Sequence, residues 1–184
     1  MIRLFIALKI PDDIKKQIIT FRNEIHTSSI KLKWEPEEKL HLTLKFIGEV
    51  PGNILDEIIS SVSFINEYRK FLCSFTGFGF FYKKRDPKIL WAGFRVEDSL
   101  IELAARLNMH FTSFSIPAED RKFKAHLTLL RIRDRGNVDG NFIDGFEKFT
   151  VNEIPFFADE IVLIKSDLLP SGSKYTEIKN FKLK

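Results

Sequence analysis

The chain has 184 residues, of which 44% are hydrophobic and 29% charged, a balance that excludes a disordered, fibrous or membrane-spanning protein. At this length folding removes roughly 70% of the unfolded chain's surface from water, so one core is sustainable without a metal or disulfide staple, and the single Cys73 offers no intrachain bridge. A net charge of +4 is too small, if spread evenly, to point to a polyanionic partner.

The opening Ile2 to Lys9 reads as a strand bounded by Pro11. Its apolar stretch is too short for a bilayer span or signal peptide, because Lys9, Asp12 and Asp13 interrupt it. A cytoplasmic chain with no membrane partner is therefore expected. From Asp12 the spacing of Ile14, Ile18, Ile19, Phe21 and Ile25 predicts a helix capped by Asp12 or Asp13. A short strand is expected over Lys31 to Glu35, then a strand from His41 to Ile47 ending at Gly48. Pro51-Gly52 predicts a turn, and Ile54 to Tyr68 a second helix.

Phe71 to Phe81 predicts an aromatic strand pair or one bulged strand kinked at Gly77 and Gly79. After the basic turn from Lys83 to Pro87 come a strand Ile89 to Val96, a helix Asp98 to Phe114 capped by Asp98 or Ser99, and a strand Lys124 to Arg131. A Gly- and Asp-rich loop is expected around Gly136 to Gly145, then strands Glu160 to Lys165 and Tyr175 to Phe181 flanking a turn at Pro170-Ser171-Gly172. Strands that come in pairs between single helices predict an α+β fold with largely antiparallel sheets.

His41-Leu42-Thr43-Leu44 recurs unchanged as His126-Leu127-Thr128-Leu129, nearly half a chain later. Each copy follows a helix and an extended segment, which suggests two lobes of similar build. In a strand, His41, Thr43 and Lys45 share one face and Leu42, Leu44 and Phe46 the other; His126 and Thr128 likewise oppose Leu127 and Leu129. Two lobes facing each other across a pseudo-twofold axis would bring two imidazoles and two hydroxyls to one cleft.

That set suits in-line displacement at phosphorus, with a neutral imidazole taking a proton from water and a protonated one giving a proton to the departing oxygen. Threonine hydroxyls and nearby Arg or Lys would stabilise the nonbridging oxygens. A lone histidine in an apolar strand is more often a satisfied core residue or a metal ligand, but duplication of the whole motif reverses that weighting. Zinc is disfavoured because HExxH and CxxC are absent, and no metal is expected. His26 and His110 lack a repeated context and read as surface or structural, and Cys73 as an inert core thiol. Phosphate-cradling GxGxxG and GxxxxGK[ST] patterns are also missing.

These residues resemble the 2H phosphoesterases, and within them the RNA 2′,3′-cyclic phosphodiesterases historically called 2′-5′ RNA ligases. The resemblance covers nearly the whole chain: Arg3 to Leu8 at the start, Leu40 to Gly48 around the first motif, His126 to Arg131 at the second, and Leu163 to Leu168 with Gly172 and Tyr175. It departs at Ala125, where relatives usually carry proline. The resemblance implies one two-lobed domain over residues 1–184, each lobe a mainly antiparallel sheet with helices on its outer face and the active-site cleft between the lobes. It implies hydrolysis of an RNA-terminal 2′,3′-cyclic phosphate to a 2′-phosphomonoester without metal or cofactor, and an association with reversible 2′-5′ joining.

His41 would be the proton donor and His126 the proton acceptor, an assignment that spacing alone leaves reversible. Thr43, Thr128, Arg131 and Lys45 would bind phosphate, and Phe46 or an aromatic between Phe78 and Tyr82 would stack on the terminal base. Arg131 matches a phosphate-binding arginine of the family, yet strict alternation from His126 puts it on the opposite face, unless the strand bulges or the side chain wraps back. The expected partners are RNA ends or nucleotides carrying a 2′,3′-cyclic phosphate, bound by a monomer. The alternatives are a phosphodiesterase for 2′-5′ oligoadenylate or an ADP-ribose cyclic phosphate, and a non-catalytic RNA-binding module. The basic charge is itself local: between Arg121 and Arg135 six basic residues stand against Asp134 alone.

Overall fold

In the computed structural model, residues 1–26, 31–133, 138–170 and 172–184 are described. The strands are β1 (Ile2–Leu8), β2 (Leu42–Val50), β3 (Phe71–Lys83), β4 (Asp86–Val96), β5 (His126–Arg131), β6 (Ile154–Ala158), β7 (Glu160–Leu169) and β8 (Gly172–Lys182). The helices are α1 (Asp12–Ile25), α2 (Leu55–Ser61), α3 (Asp98–His110) and α4 (Gly140–Glu147). Two four-stranded sheets form, ordered β2-β1-β7-β8 and β5-β4-β3-β6, and every pairing in both is antiparallel.

The internal symmetry is visible in the connections. β1–α1–β2 and β4–α3–β5 each run from an inner strand through a helix to an antiparallel edge strand carrying a His-Leu-Thr-Leu copy, and the inner strand's other neighbour, β7 or β3, belongs to a hairpin. Beneath them lies one core. Leu4, Ile6 and Leu8 of β1 bury one face of the first sheet in a cluster that also holds Ile14 and Ile18 of α1, Leu103 and Leu107 of α3, and Leu90 of β4. The connecting helices reach across the halves: Phe21 of α1 stacks on Phe75 of β3 at 6.2 Å, and Asn108 of α3 accepts from Lys45 of β2. On the other face of the first sheet, Phe5, Ala7, Val162 and Ile164 form a small separate cluster with Tyr175.

Several expected boundaries shift for identifiable reasons. Asp12 and Asp13 lie inside the first turn of α1 and Pro11 occupies the cap position, so the acids act on the helix dipole rather than as caps. Glu97 precedes α3 but caps nothing there; its carboxylate accepts from Leu72 N at 2.7 Å and ties the helix start to β3. The second helix breaks after Ser61 and resumes as a 3₁₀ turn over Ser63–Glu67. Ser60 and Ser61 donate their hydroxyls back to the carbonyls of Asp56 and Ile58, a habit that weakens helix interiors.

Phe71–Lys83 is one strand, bulged between Phe75 and Gly77, where Gly77 adopts φ +131. Within the region expected as a loop, Gly140–Glu147 is a helix, capped by the Asp139 side chain accepting from Phe142 N at 2.8 Å. Gly136 lies outside the described residues, as do Asp134 and Arg135 of the basic stretch and Ser171 of the last turn. The expected strand at Lys31–Glu35 reduces to a single bridge from Trp34 to Leu130.

Candidate functional site

Leucines of the repeat anchor both motif strands. Leu42 and Leu44, like Leu127 and Leu129, are buried, each contributing about 1.5–3 kcal/mol when fully removed from water. Their neighbours His41, Thr43, His126 and Thr128 all line one cavity of about 770 Å³ between the two sheets. The two histidines and two threonines thus meet as the repeat requires.

Beyond the repeat, a bulge at the same place in both copies decides which side chains reach the cavity. In β2, Ala7 pairs with Thr43 and Ile6 with Lys45, leaving Leu44 as the extra residue. In β5, Trp91 pairs with Thr128 and Leu90 with Leu130, leaving Leu129 extra. A bulge resets the alternation of faces. Of the residues that strict alternation would aim at the cavity, Lys45 turns inward, away from its wall, while Leu130 borders it; each is only 2% exposed. Residues that alternation would aim at the core, Phe46 and Arg131, line the cavity.

Lys45 is therefore not at the phosphate position expected of it. Its ammonium donates to Asn108 Oδ1 at 2.8 Å and the Pro117 carbonyl at 3.3 Å, and pairs with Glu119 at 3.6 Å, clamping β2 to α3 and the segment after it. Arg131 does face the cavity, where Glu35 holds its Nε at 3.3 Å. Glu35 is itself fixed by its backbone N–H donating to the Leu129 carbonyl, the bulged residue, at 2.8 Å. Of the aromatics expected to stack, Phe46 is 54% exposed in the cavity wall. Phe78 packs among Phe75, Phe146 and Phe149, and Tyr82 hydrogen-bonds Glu147.

Each imidazole is held by the chain two residues upstream and braced by rings. His126 Nδ1 lies 2.8 Å from the Lys124 carbonyl. A carbonyl only accepts, so Nδ1 carries hydrogen and Nε2 is the nitrogen left for proton exchange. His41 hydrogen-bonds the backbone of Lys39, again two residues upstream. Phe5 stacks on His41 at 4.8 Å with Tyr175 edge-on at 5.3 Å, and Phe81 meets His126 edge-on at 4.9 Å. Burial lowers both histidines' pKa values: His41 falls to about 4, with the charges of Arg131 and Lys15 adding to the effect, and His126 falls with help from Lys124 and Arg131. His41 is therefore neutral at pH 7 before any substrate binds, and burial biases His126 in the same direction.

The cavity is strongly cationic. Arg3, Lys31, Lys33, Lys39, Arg131 and Arg133 line it against one acid, Glu35, among the described residues. His41, Lys39 and Tyr175 also wall a neighbouring cavity of about 440 Å³. Phe5 and Tyr175 fall in segments of the family resemblance but have no assigned role in it, and Glu35 carries no motif at all; the alternation of β1 puts Phe5 on the face opposite Leu4 and Ile6. His26 packs against Trp34, itself part of the cavity wall, and against Phe142, while His110 lies among Phe64, Phe111 and Phe114. Cys73 is buried, with its thiol pushed up to about 12 by desolvation and then by Glu97. No group of three or more His, Cys, Asp or Glu side chains among the described residues could hold a metal ion. No described helix is long and apolar enough to cross a membrane.

Comparison with known proteins bears on the family and the fold. The family profile described as "LigT like Phosphoesterase" matches residues 8–91 and 95–175. A Methanocaldococcus jannaschii protein named RNA 2′,3′-cyclic phosphodiesterase is 31% identical, over 97% of this chain and 99% of its own length. A Thermotoga maritima protein of the same name is 28% identical, over 94% and 91%. The crystal structure of Escherichia coli LigT complexed with 3′-AMP superposes with a TM-score of 0.74 at 26% identity, covering 99% of this chain and 98% of that one. A Thermus thermophilus crystal structure gives a TM-score of 0.77 at 24% identity, over 98% of this chain and 97% of that one, and supports the fold. With two His-Leu-Thr-Leu strands facing one cavity and a profile match across most of its length, the chain belongs to the LigT-like phosphoesterase family of 2H phosphoesterases.

Proposed function

We propose that this protein hydrolyses the 2′,3′-cyclic phosphate at an RNA end to a 2′-phosphomonoester, using its two histidines and no metal. The observation that carries the proposal is the convergence of both His-Thr pairs on one cationic cavity. His126 accepts a proton from water through Nε2 as water attacks phosphorus. The bond from phosphorus to O3′ breaks, and His41 delivers a proton to that oxygen. Thr43, Thr128 and Arg131 hydrogen-bond the nonbridging oxygens as charge builds on them.

The low pKa of His41 gives the substrate a part in charging its own acid. Arg131 and Lys15 contribute to keeping His41 neutral before substrate binds, and an incoming phosphodiester anion offsets their charge and raises that pKa. The curated relatives carry the same activity in their names, and a cavity of about 770 Å³ exceeds what the cyclic phosphate alone needs. Among the described residues, its six cations against one acid suit a polynucleotide end, with Phe46 as a stacking surface.

The test is turnover of 2′,3′-cyclic nucleotides and of cyclic-phosphate-terminated RNA by wild type, His41→Ala and His126→Ala, all with a chelator present. Activity in wild type alone, releasing a 2′-phosphomonoester, is expected. Undiminished turnover in either variant, or loss of wild-type turnover on chelation, overturns the mechanism. Cleavage of 2′-5′ oligoadenylate in preference to the cyclic ends would replace the substrate while leaving the chemistry. RNA affinity indifferent to the terminal phosphate, without turnover, would leave a binding module.

A further inference from the structure

The repeat is longer than four residues. Lys39-Leu40-His41-Leu42-Thr43-Leu44 matches Lys124-Ala125-His126-Leu127-Thr128-Leu129 with a lysine two places before each histidine. In both lobes that lysine's backbone is the hydrogen-bond partner of the imidazole.

In the second lobe the lysine is exposed, yet its ammonium lies over two rings. The Lys124 ammonium stands 3.9 Å from the centroid of Trp91 and 5.3 Å from that of Phe81. Phe81 and Trp91 lie 5.5 Å apart, and Phe81 also meets the His126 ring. The contacts therefore close a circuit: His126 to the Lys124 carbonyl, the Lys124 ammonium to Trp91, Trp91 to Phe81, and Phe81 back to His126. The indole in turn lies in a trough cut by two glycines. A Cβ at Gly79 would fall 2.5 Å from its ring carbons, and one at Gly93 would fall 2.7 Å away. Those residues pair with Trp91 and His126 in the ladder, so the trough and the histidine belong to one rigid patch.

The first lobe has a looser version. Lys39 stands 6.0 Å from the centroid of Tyr175, and Tyr175 and Phe5 both contact His41.

We propose that Lys124 is a positioning residue for His126: its ammonium, docked on Trp91 in the Gly79–Gly93 trough, holds the Lys124 peptide so that its carbonyl keeps His126 in the Nδ1–H tautomer, with Nε2 toward the phosphate site. Lys39 does the same for His41 with a weaker anchor. A lysine whose side chain swings freely would leave that carbonyl to the conformational freedom of the residues before β5. Cation–π docking removes this freedom, and the docked charge adds its own effect on the imidazole. The charged groups that face His126 are Lys124 and Arg131. β3 and β4 present the uncharged rings Phe81 and Trp91, and Glu35 is engaged by Arg131.

The kinetic arm of the test rests on His126 acting as the proton acceptor; the spectroscopic arm does not. Lys124→Met keeps the carbonyl and the chain length but removes the charge, Lys124→Arg keeps the cation–π contact, and Gly93→Ala pushes the indole out of its seat. Long-range ¹⁵N correlation spectra read the tautomer and titration of His126, and kcat and KM are measured across pH. Lys124→Met is expected to lower kcat about tenfold with KM within about twofold. It should mix the His126 tautomers and move the acidic limb of the kcat profile upward in pH. Lys124→Arg should restore all three, Gly93→Ala should reproduce the tautomer mixing, and Lys39→Met should lower kcat only about twofold.

An unchanged tautomer and kcat in Lys124→Met overturn the proposal, and so does failure of arginine to rescue. Mixed tautomers with unchanged kcat uphold the positioning of His126 and overturn its role as the base.

Discussion

The two lobes carry the same backbone device and present different chemistry with it. Each runs Lys-x-His-Leu-Thr-Leu along an edge strand and bulges at the second leucine, so that the fifth residue after histidine re-enters the cavity. In the first lobe that residue is Phe46, and in the second it is Arg131. The residue before it is buried in both lobes, Lys45 reaching α3 in one and Leu130 bordering the cavity in the other. Duplication thus supplies two imidazoles and two hydroxyls, while the residue after the bulge gives one lobe a ring and the other a charge. A cyclic phosphate ending a nucleotide is itself lopsided, anionic at phosphorus and aromatic at the base.

The most severe way to break the comparison is to remove an imidazole. His41→Gln and His126→Gln should each lower kcat by about 10²–10⁴, measured with a cyclic nucleotide at saturating concentration. If only one of them matters, the lobes are not a catalytic pair.

A second probe reads the burial of His41 through stability. His41 has a native pKa of about 4 against the ordinary 6.5. Between those values the unfolded chain binds a proton that the native one does not. Stability should therefore fall as pH drops from 6.5 toward 4, by up to about 3 kcal/mol from His41. Urea denaturation across that window should show the loss in wild type and a shallower one in His41→Gln.

The bulge itself can be tested by exchange. Arg131→Gln should lower kcat about 10²-fold. If both fifth positions face the same phosphate, Phe46→Arg in the Arg131→Gln background should recover part of that loss, and no recovery means that the lobes address different atoms. Lys45→Ala should cost about 2 kcal/mol in urea denaturation, through the lost hydrogen bonds and the void, with kcat/KM within about twofold of wild type. The smallest effect belongs to Phe46→Ala, a rise in KM of about fivefold from lost stacking.

The site is unevenly legible in the sequence, and the bulges explain where legibility ends. The repeated motif and its strand periodicity place His41, Thr43, His126 and Thr128 on one cavity. Period two then misplaces Lys45 and Phe46 and leaves Arg131 on the wrong face, because a bulge changes backbone pairing without a residue type that announces it. Leu44 and Leu129 look like any strand leucines. The lysines two places before each histidine are visible as part of the repeat, but only the folded positions of Trp91, Gly79 and Gly93 distinguish an anchored lysine from a solvated one.

In the fold, β6 is hidden because Pro155 interrupts five residues that would otherwise read as a strand. α4 is hidden because Gly140 and Gly145 read as loop. A Cβ at Gly145 would stand 3.1 Å from Ile25, so the glycine lets α4 settle against α1.

The placement of β2 and β5 carries one last consequence. They are edge strands of different sheets, so no shared hydrogen-bond ladder sets the gap between the two imidazoles. That gap is gauged from below by Leu42, Leu44, Leu127 and Leu129 seated in a single hydrocarbon interior. Proton transfer tolerates little error, and a displacement of about 1 Å can cost 10²-fold in rate. In the reaction proposed above, the calibration of polar chemistry is thus entrusted to residues with no polar atoms in their side chains, and a few methyl groups lost beneath the cleft would detune it with both histidines and both threonines still in place.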